Sequence, residues 1–357
     1  MGGISRAEAL RLATICLPSI DASVDVSCLN EGDISTKSLC RLWAGMGTII
    51  VVKTETESST HEFIVKHVVP PRRKSRSLGD RRKADSYLVE ANFYEKLAPR
   101  LIEEHGLALP VPYHVERDDG NDEVIICMSR LPGSPAYLDS SESINSVLDW
   151  LSTIHAATWG TAEEVDALVE EVGLQPTGTY WHLDTRPDEH SNMSRRGWEG
   201  RLRLAARAID ERLKRDAMQC CVHGDAKDAN ILLDHDGATM TARMYDLQYC
   251  GRGCPAVDLA YFLCVAVGGV DRIYIEYYHQ RLVEKLRGRG RRDVPALNDL
   301  EESIDLALCD FQRFMCGWGQ WGSDIGDNVL GVLQRLDEGK ALESEDAYCD
   351  AMLREYG

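Results

Sequence analysis

Asp225, Asn230 and Asp246 are the residues of this chain whose types and spacing could do chemistry together. The stretch CVHGDAKDANILLDHDG, Cys221 to Gly237, holds Asp225 and Asn230 five positions apart, and Asp246 follows the apolar triplet ILL, a DHDG turn and the strand-like ARMY. A loop carboxylate can orient an acceptor hydroxyl and receive its proton. An amide oxygen and a second carboxylate are hard donors that suit Mg²⁺ held against phosphates better than zinc. One loop and its hairpin therefore supply what phosphoryl transfer from a nucleotide needs. A polar turn before a strand would explain each residue singly, but not their order. His223 is read as shaping the loop through hydrogen bonds and not as moving a proton. Cys220 and Cys221 adjoin it without a second C-x-x-C or H-x-x-x-H pair to complete a tetrahedron, so they are read as buried free thiols.

These residues need a scaffold, and 357 residues are enough for two lobes. Apolar residues make up 44% of the chain and charged residues 27%, a globular composition. The formal charge of −18 repels nucleic acid and anionic lipid, which excludes both as main partners, and it attracts small cations. Twelve cysteines without the tight spacing of a secreted scaffold, and no apolar leader, suggest reduced thiols in a cytoplasmic protein. No apolar run approaches the roughly 20 residues of a membrane span.

SLCRLWAGMGTIIVVK, Ser38 to Lys53, reads as strand, glycine turn and strand, and HEFIVKHVV as a third strand with Lys66 near its middle, ending at Pro70. The basic segment 70–85 reads as an exposed loop. Tyr87, Leu88, Ala91, Tyr94 and Leu97 then recur at helical spacing until Pro99, with Glu90 among them. DEVIICMSRLPG is a short strand running into a lobe boundary. Beyond it, Ser143 to Trp159 is an amphipathic helix with His155 as a core histidine, and further helices contain WEGRLRLAARAIDERL, YIEYYHQRLVEKL and SIDLALCDFQRFMCGWGQWG.

HGDAKDAN resembles the H-x-D-x-x-x-x-N catalytic loop of the protein-kinase-like superfamily. Its Gly224 form is similar to the small-molecule branch: aminoglycoside phosphotransferases, choline and ethanolamine kinases, and ecdysteroid-kinase-like enzymes. The resemblance runs from the Gly45/Gly47 hairpin through Lys66 and Glu90 to DLQYCGRGCPAVDLAYFL. It implies an α+β, bilobal protein-kinase-like fold: a small mixed sheet with one main helix in residues 1–130, a mainly helical lobe in 131–357, and nucleotide bound between them. It also implies ATP and Mg²⁺ as cofactors, Asp225 as base, and Asn230 and Asp246 as metal ligands. Lys66 would grip the α/β phosphates with Glu90 as its partner, and Gly45, Met46 and Gly47 would form the flap over the phosphates. Met128 to Arg130 would present backbone groups to adenine, Lys227 would stabilise transition-state charge, and Asp258 would brace the catalytic loop.

Departures narrow the substrate. Asp246-Leu247-Gln248 stands where protein kinases carry D-F-G, and only eleven residues separate Asp246 from Asp258. No long activation segment fits that interval, so a small-molecule hydroxyl is expected as acceptor, not a protein. A nucleotide-binding pseudokinase serving as an interaction module is the alternative, disfavoured by the complete residue set. Two acceptor classes are expected, the first a cationic amino alcohol or aminocyclitol. Asp184 and Glu189 lie near Tyr180 and Trp181 in sequence, and Asp310 and Asp324 near Trp318 and Trp321. Uncharged sterol-like or sugar alcohols remain the other acceptor class.

Overall fold

The computed structural model describes residues 4–56, 59–71, 78–118, 120, 122–237, 239–319 and 326–357. Contacts divide the chain into two compact units, Met1–Pro132 and Gly133–Gly357.

In the first unit, β1 (Ile34–Arg41), β2 (Gly47–Glu55), β3 (Thr60–Val68), β4 (Pro112–Asp118) and β5 (Glu123–Met128) form one sheet in the order β1-β2-β3-β5-β4. Every neighbouring pair is antiparallel, so the sheet expected as mixed is not. The reason is local: short hairpins join β1 to β2, β2 to β3 and β4 to β5, and a hairpin can only pair its strands antiparallel. The strand period of two sorts the side chains. Ile50, Val52, Phe63, Val65, Ile125 and Cys127 face one apolar layer, which α1 (Arg6–Ile20) closes with Ala9, Leu12, Ala13, Cys16 and Leu17. Lys66, one position on from Val65, therefore points to the other face.

Helix α1 was not expected from the sequence; Ser5 caps it, its hydroxyl accepting from the Glu8 amide at 3.1 Å. A further helix, α2 (Leu78–Asn92), begins inside the basic segment read as loop. Residues 72–77 of that segment lie outside the described residues. From Leu78 onward strong helix formers carry it without an apolar period, and the Lys83 ammonium lies 5.2 Å from the centre of the Tyr87 ring. Nor does Pro99 stop the next run. One π-helical turn at Phe93–Leu97 leads into α3 (Ala98–His105), with Pro99 in its first turn, where a missing N–H costs no hydrogen bond. Gly106, at φ 61°, ends α3 instead.

The second unit is mainly helical, with α4 (Ser141–Ala157), α5 (Ala162–Val172), α6 (Pro187–Asn192), α7 (Gly197–Lys214), α8 (Ala256–Tyr261), α9 (Arg272–Gly288), α10 (Leu297–Trp318), α11 (Gly326–Asp337) and α12 (Glu345–Tyr356). Two small antiparallel sheets interrupt the helices: β6 (Ser134–Pro135), β8 (Ile231–Asp236) and β9 (Thr239–Met244) form one, and β7 (Cys220–Val222) with β10 (Gly251–Gly253) forms the other. Helix α4 packs on α9, and α10 packs on α7 and α8. The expected stripe of α10 is core at Ile304, Leu308, Phe311 and Met315, while Trp318 is half exposed. Among the described residues no helix is long and apolar enough to cross a membrane.

Candidate active site

Strand β7 ends at Val222, and His223 to Lys227 form a tight loop before a single 3₁₀ turn, Asp228–Asn230, returns the chain into β8. The loop is shaped from behind by Asp258 on α8. Its fully buried carboxylate accepts from the His223 amide (2.6 Å), the Gly224 amide (2.9 Å) and His155 Nε2 (3.1 Å), and His155 Nδ1 meets the Tyr278 hydroxyl at 2.7 Å. Burial works to raise the Asp258 pKa, but the donors and the neighbouring histidines overcome it and hold it below the ordinary value. His155 is thus the hydrogen-bonded core histidine expected of it. Gly224 is at φ 81°, and a Cβ there would come within 2.2 Å of the Tyr249 carbonyl oxygen, so only glycine fits.

His223 shapes the loop in the way read from the sequence. Its Nδ1 accepts from the Asp225 amide at 3.2 Å, which leaves Nε2–H to donate to the Tyr245 carbonyl at 3.1 Å. Cys220 and Cys221 are buried, free thiols in β7.

Because the loop turns on these bonds, Asp225 is held inward, only 4% exposed. Lys227 Nζ donates to its Oδ2 at 2.8 Å and Asn230 Nδ2 to the same oxygen at 3.2 Å, while the Tyr261 hydroxyl donates to Oδ1 at 3.1 Å. Burial raises the Asp225 pKa above its ordinary value, opposed by the Lys227 charge and raised further by Asp246. A carboxylate moved toward neutral pH is a better proton acceptor than an exposed one. Lys227 titrates above the usual lysine range, since the attraction of Asp225 outweighs its own burial.

Asn230 also donates from Nδ2 to the Asp225 carbonyl at 2.9 Å, so the amide nitrogen faces Asp225 and Oδ1 turns the other way. The Tyr245 amide donates to the Asn230 carbonyl at 3.2 Å, and Asp246 follows two residues past the paired ends of β8 and β9. Asp246 has φ 69°, a conformation unusual for a non-glycine residue, and its Oδ1 accepts from Gln248 Nε2. Among the described residues no three His, Cys, Asp or Glu side chains gather into a metal cage of their own. The donor set present, one amide oxygen and one carboxylate on adjacent backbone, fits Mg²⁺ completed by phosphate oxygens and water.

In the first unit the Lys66 ammonium lies 2.6 Å from Glu90 Oε2, with both side chains buried, and 5.2 Å from the centre of the Tyr87 ring. The β1–β2 turn holds Gly45 at φ 72° and Gly47 at φ 141°, where a Cβ would strike the His67 carbonyl at 2.0 Å. Met46 is buried between them, its carbonyl accepting from the Val69 amide at 2.7 Å. Met128 closes β5. The Ser129 amide donates to the Val111 carbonyl at 2.8 Å, and the exposed Arg130 reaches Glu62 at 3.2 Å.

The residues expected around the acceptor fall into two groups. Trp321 and Asp324 lie outside the described residues. Of the others, Tyr180 and Trp181 lie nearest Asp225, through its partner Tyr261: the Tyr180 hydroxyl is 3.1 Å from that of Tyr261, and Trp181 stacks on Tyr261 with centroids 4.5 Å apart. Every carboxylate of this group already has a cation. Glu189 meets Arg186 at 3.2 Å, Asp310 meets the fully buried Arg313 at 2.8 Å, and Asp184 meets Lys214 at 2.7 Å. Tyr261 carries no motif of its own in the sequence, but it stands one helical turn after Asp258, a spacing that puts both residues on one face of α8.

Residues 51–294 match the family described as the phosphotransferase enzyme family, more than half of the chain. The chain belongs to that family. It is accordingly a small-molecule kinase, and the resemblance drawn from HGDAKDAN stands. No curated protein matches this phosphotransferase. Among solved structures it is similar to an ethanolamine kinase of Plasmodium vivax, at 12% identity over 99% of this chain and 94% of that one, with a TM-score of 0.53. It is also matched to a choline kinase of Cryptosporidium parvum, at 10% identity over 98% and 95%, TM-score 0.48. An aminoglycoside phosphotransferase of Streptomyces rimosus matches at 15% identity over 85% and 98%, TM-score 0.41. The first of these likenesses supports the kinase-like α+β fold.

Asp258→Asn tests the bracing role in this enzyme. Removing one partner of a buried charged network costs about 3–5 kcal/mol, so the variant should melt earlier at neutral pH. A carboxyl whose folded pKa lies below its unfolded value stabilises at pH above that unfolded value, and the contribution is lost as pH falls through the folded one. The gap between wild type and variant in denaturant titrations should therefore shrink below about pH 4. A constant gap down to the acid transition would contradict it.

Proposed function

We propose that this phosphotransferase moves the γ-phosphoryl group of ATP to a hydroxyl of a small metabolite. The observation that carries the reading is Asp225: a buried carboxylate, its pKa raised, held by Lys227 at 2.8 Å and by the amide of Asn230. In this reading Asp225 accepts the acceptor's proton as its oxygen attacks phosphorus, and Lys227 stabilises charge on the transferring group. Asn230 Oδ1 and Asp246 would hold Mg²⁺, which when bound supplies neutralisation of the phosphate charge. Lys66, kept charged by Glu90, would meet the α/β phosphates, with the Gly45–Met46–Gly47 turn as the flap. The backbone at Met128 and Arg130 would take the adenine. Residues 1–130 would thus serve the nucleotide, and 131–357 catalysis and the acceptor. Twelve free thiols suit a reducing cytoplasm.

The test is metal dependence with ATP and a panel of alcohols. Transfer should disappear with EDTA and return with Mg²⁺, and Asp246→Ala should stay inactive at ordinary Mg²⁺ concentrations. Metal-independent transfer, or full activity of that variant, would sink the assignment. Nucleotide binding with no transfer to any alcohol would instead favour a pseudokinase.

A further inference from the structure

The acceptor side of the site carries cations of its own. From Asp225 a chain of two hydrogen bonds, through the Tyr261 hydroxyl to that of Tyr180, leads straight into an aromatic cluster. An ammonium seated there would want an open ring face and an unpaired carboxylate. The face is occupied already: the Arg186 guanidinium lies 5.4 Å from the centre of the Tyr180 ring and 5.3 Å from that of Phe314. It is anchored, with Nε donating to the Tyr180 carbonyl at 2.7 Å and Nη1 to Glu189 at 3.2 Å. Gly317 on α10 lets the backbone of α6 come close, since a Cβ there would sit 1.9 Å from the Glu189 carbonyl.

Two further observations point the same way. The carboxylates of the cluster are neutralised in place, Glu189 by Arg186 and Asp310 by Arg313, and Lys227 adds a cation beside the base. Among the described residues, the buried polar atoms left without a partner around this cluster include two donors, Trp181 Nε1 and Arg313 Nη1, on side chains 1% and 0% exposed, together with His182 Nδ1. A donor needs an oxygen lone pair, which an alcohol, ether or carbonyl offers and an ammonium lacks. Half-exposed Trp318, its ring 4.9 Å from that of Phe314, adds apolar surface at the edge of the cluster.

We infer that the acceptor is an uncharged alcohol with apolar carbon surface, and that Arg186 is the residue that excludes cationic amino alcohols. The inference rests on the proposed kinase reading and narrows its substrate.

The test compares choline with its uncharged carbon analogue, in which a tert-butyl group replaces trimethylammonium, as phosphate acceptors from MgATP. The wild type should prefer the analogue. Arg186→Gln exposes the ring face and unpairs Glu189, so the choline-to-analogue ratio of kcat/KM should rise roughly ten-fold. Adding Glu189→Gln should cancel much of that gain. A wild type that prefers choline, or an Arg186→Gln enzyme with an unchanged ratio, overturns the inference. Should Arg186→Gln fail to fold, the wild-type ratio decides alone, and choline used as well as the analogue, or neither compound used, counts against it. Uncoupled MgATP hydrolysis is followed in parallel: if it persists while the acceptor pattern fails, the kinase reading stands and the acceptor class falls.

Discussion

Asp225→Asn should lower kcat by about 10²–10⁴-fold while leaving the affinity for MgATP close to that of wild type. The asparagine keeps the size of the side chain; its one oxygen can still accept from Lys227, and the Tyr261 hydroxyl can turn to accept from the new amide nitrogen, so the loop should keep its shape. What it loses is the capacity to take a proton from the acceptor. Because Asn230, Asp246 and Lys66 are untouched, nucleotide binding should survive, and the effect should appear in turnover. The check is steady-state kinetics beside a direct measurement of nucleotide affinity. An equal loss in both would make Asp225 a structural residue of the loop.

The second large effect concerns the buried pair of Lys66 and Glu90, 2.6 Å apart. Glu90→Ala leaves an ammonium buried without its carboxylate, and breaking such a pair costs about 3–5 kcal/mol of stability. The paired replacement Lys66→Met with Glu90→Leu removes both charges, and well-packed apolar substitutes for a buried ion pair are often neutral or stabilising. The double variant should therefore melt near the wild type and yet use ATP poorly, since nothing then meets the phosphates. Stability and nucleotide use would move apart, which a purely structural pair cannot do. A stable double variant with unchanged kcat and KM for ATP would remove Lys66 from the mechanism.

These residues were legible because their signals are local. Asp225, Asn230 and Asp246 lie within one loop and hairpin, so order and spacing alone bring them together. Lys66 could be placed from the period of β3, and Glu90 from the period of the helix after it. Tyr261 is different: its hydroxyl meets Asp225 only because Asp258, one turn earlier on α8, is tied to the loop by two backbone amides. Arg186 stands six positions from Tyr180 but more than a hundred from Phe314, and no sequence period reports that it lies over both rings. Carboxylates near aromatics in sequence suggested a cation site, but those among the described residues already meet a cation of the chain, Glu189 and Asp310 an arginine three positions away and Asp184 the distant Lys214. The basic stretch from Leu78 misled for another reason, since its helix is carried by propensity and by neighbours such as Tyr87, with no apolar face of its own. Pro99 misled because a proline that ends one helical run sits equally well in the first turn of the next.

The most direct measurement of the account is phosphate transfer itself. Wild type and Asp225→Asn are incubated with ATP labelled in its γ-phosphate, with Mg²⁺ and a panel of choline, ethanolamine, their uncharged analogues, sugar alcohols and sterols. The products are separated by mass. The account predicts labelled phosphate on the hydroxyl of an uncharged alcohol, formed by the wild type and all but lost in the variant. Binding of MgATP with no phosphorylated alcohol from any compound, or product formed equally by both proteins, would contradict it.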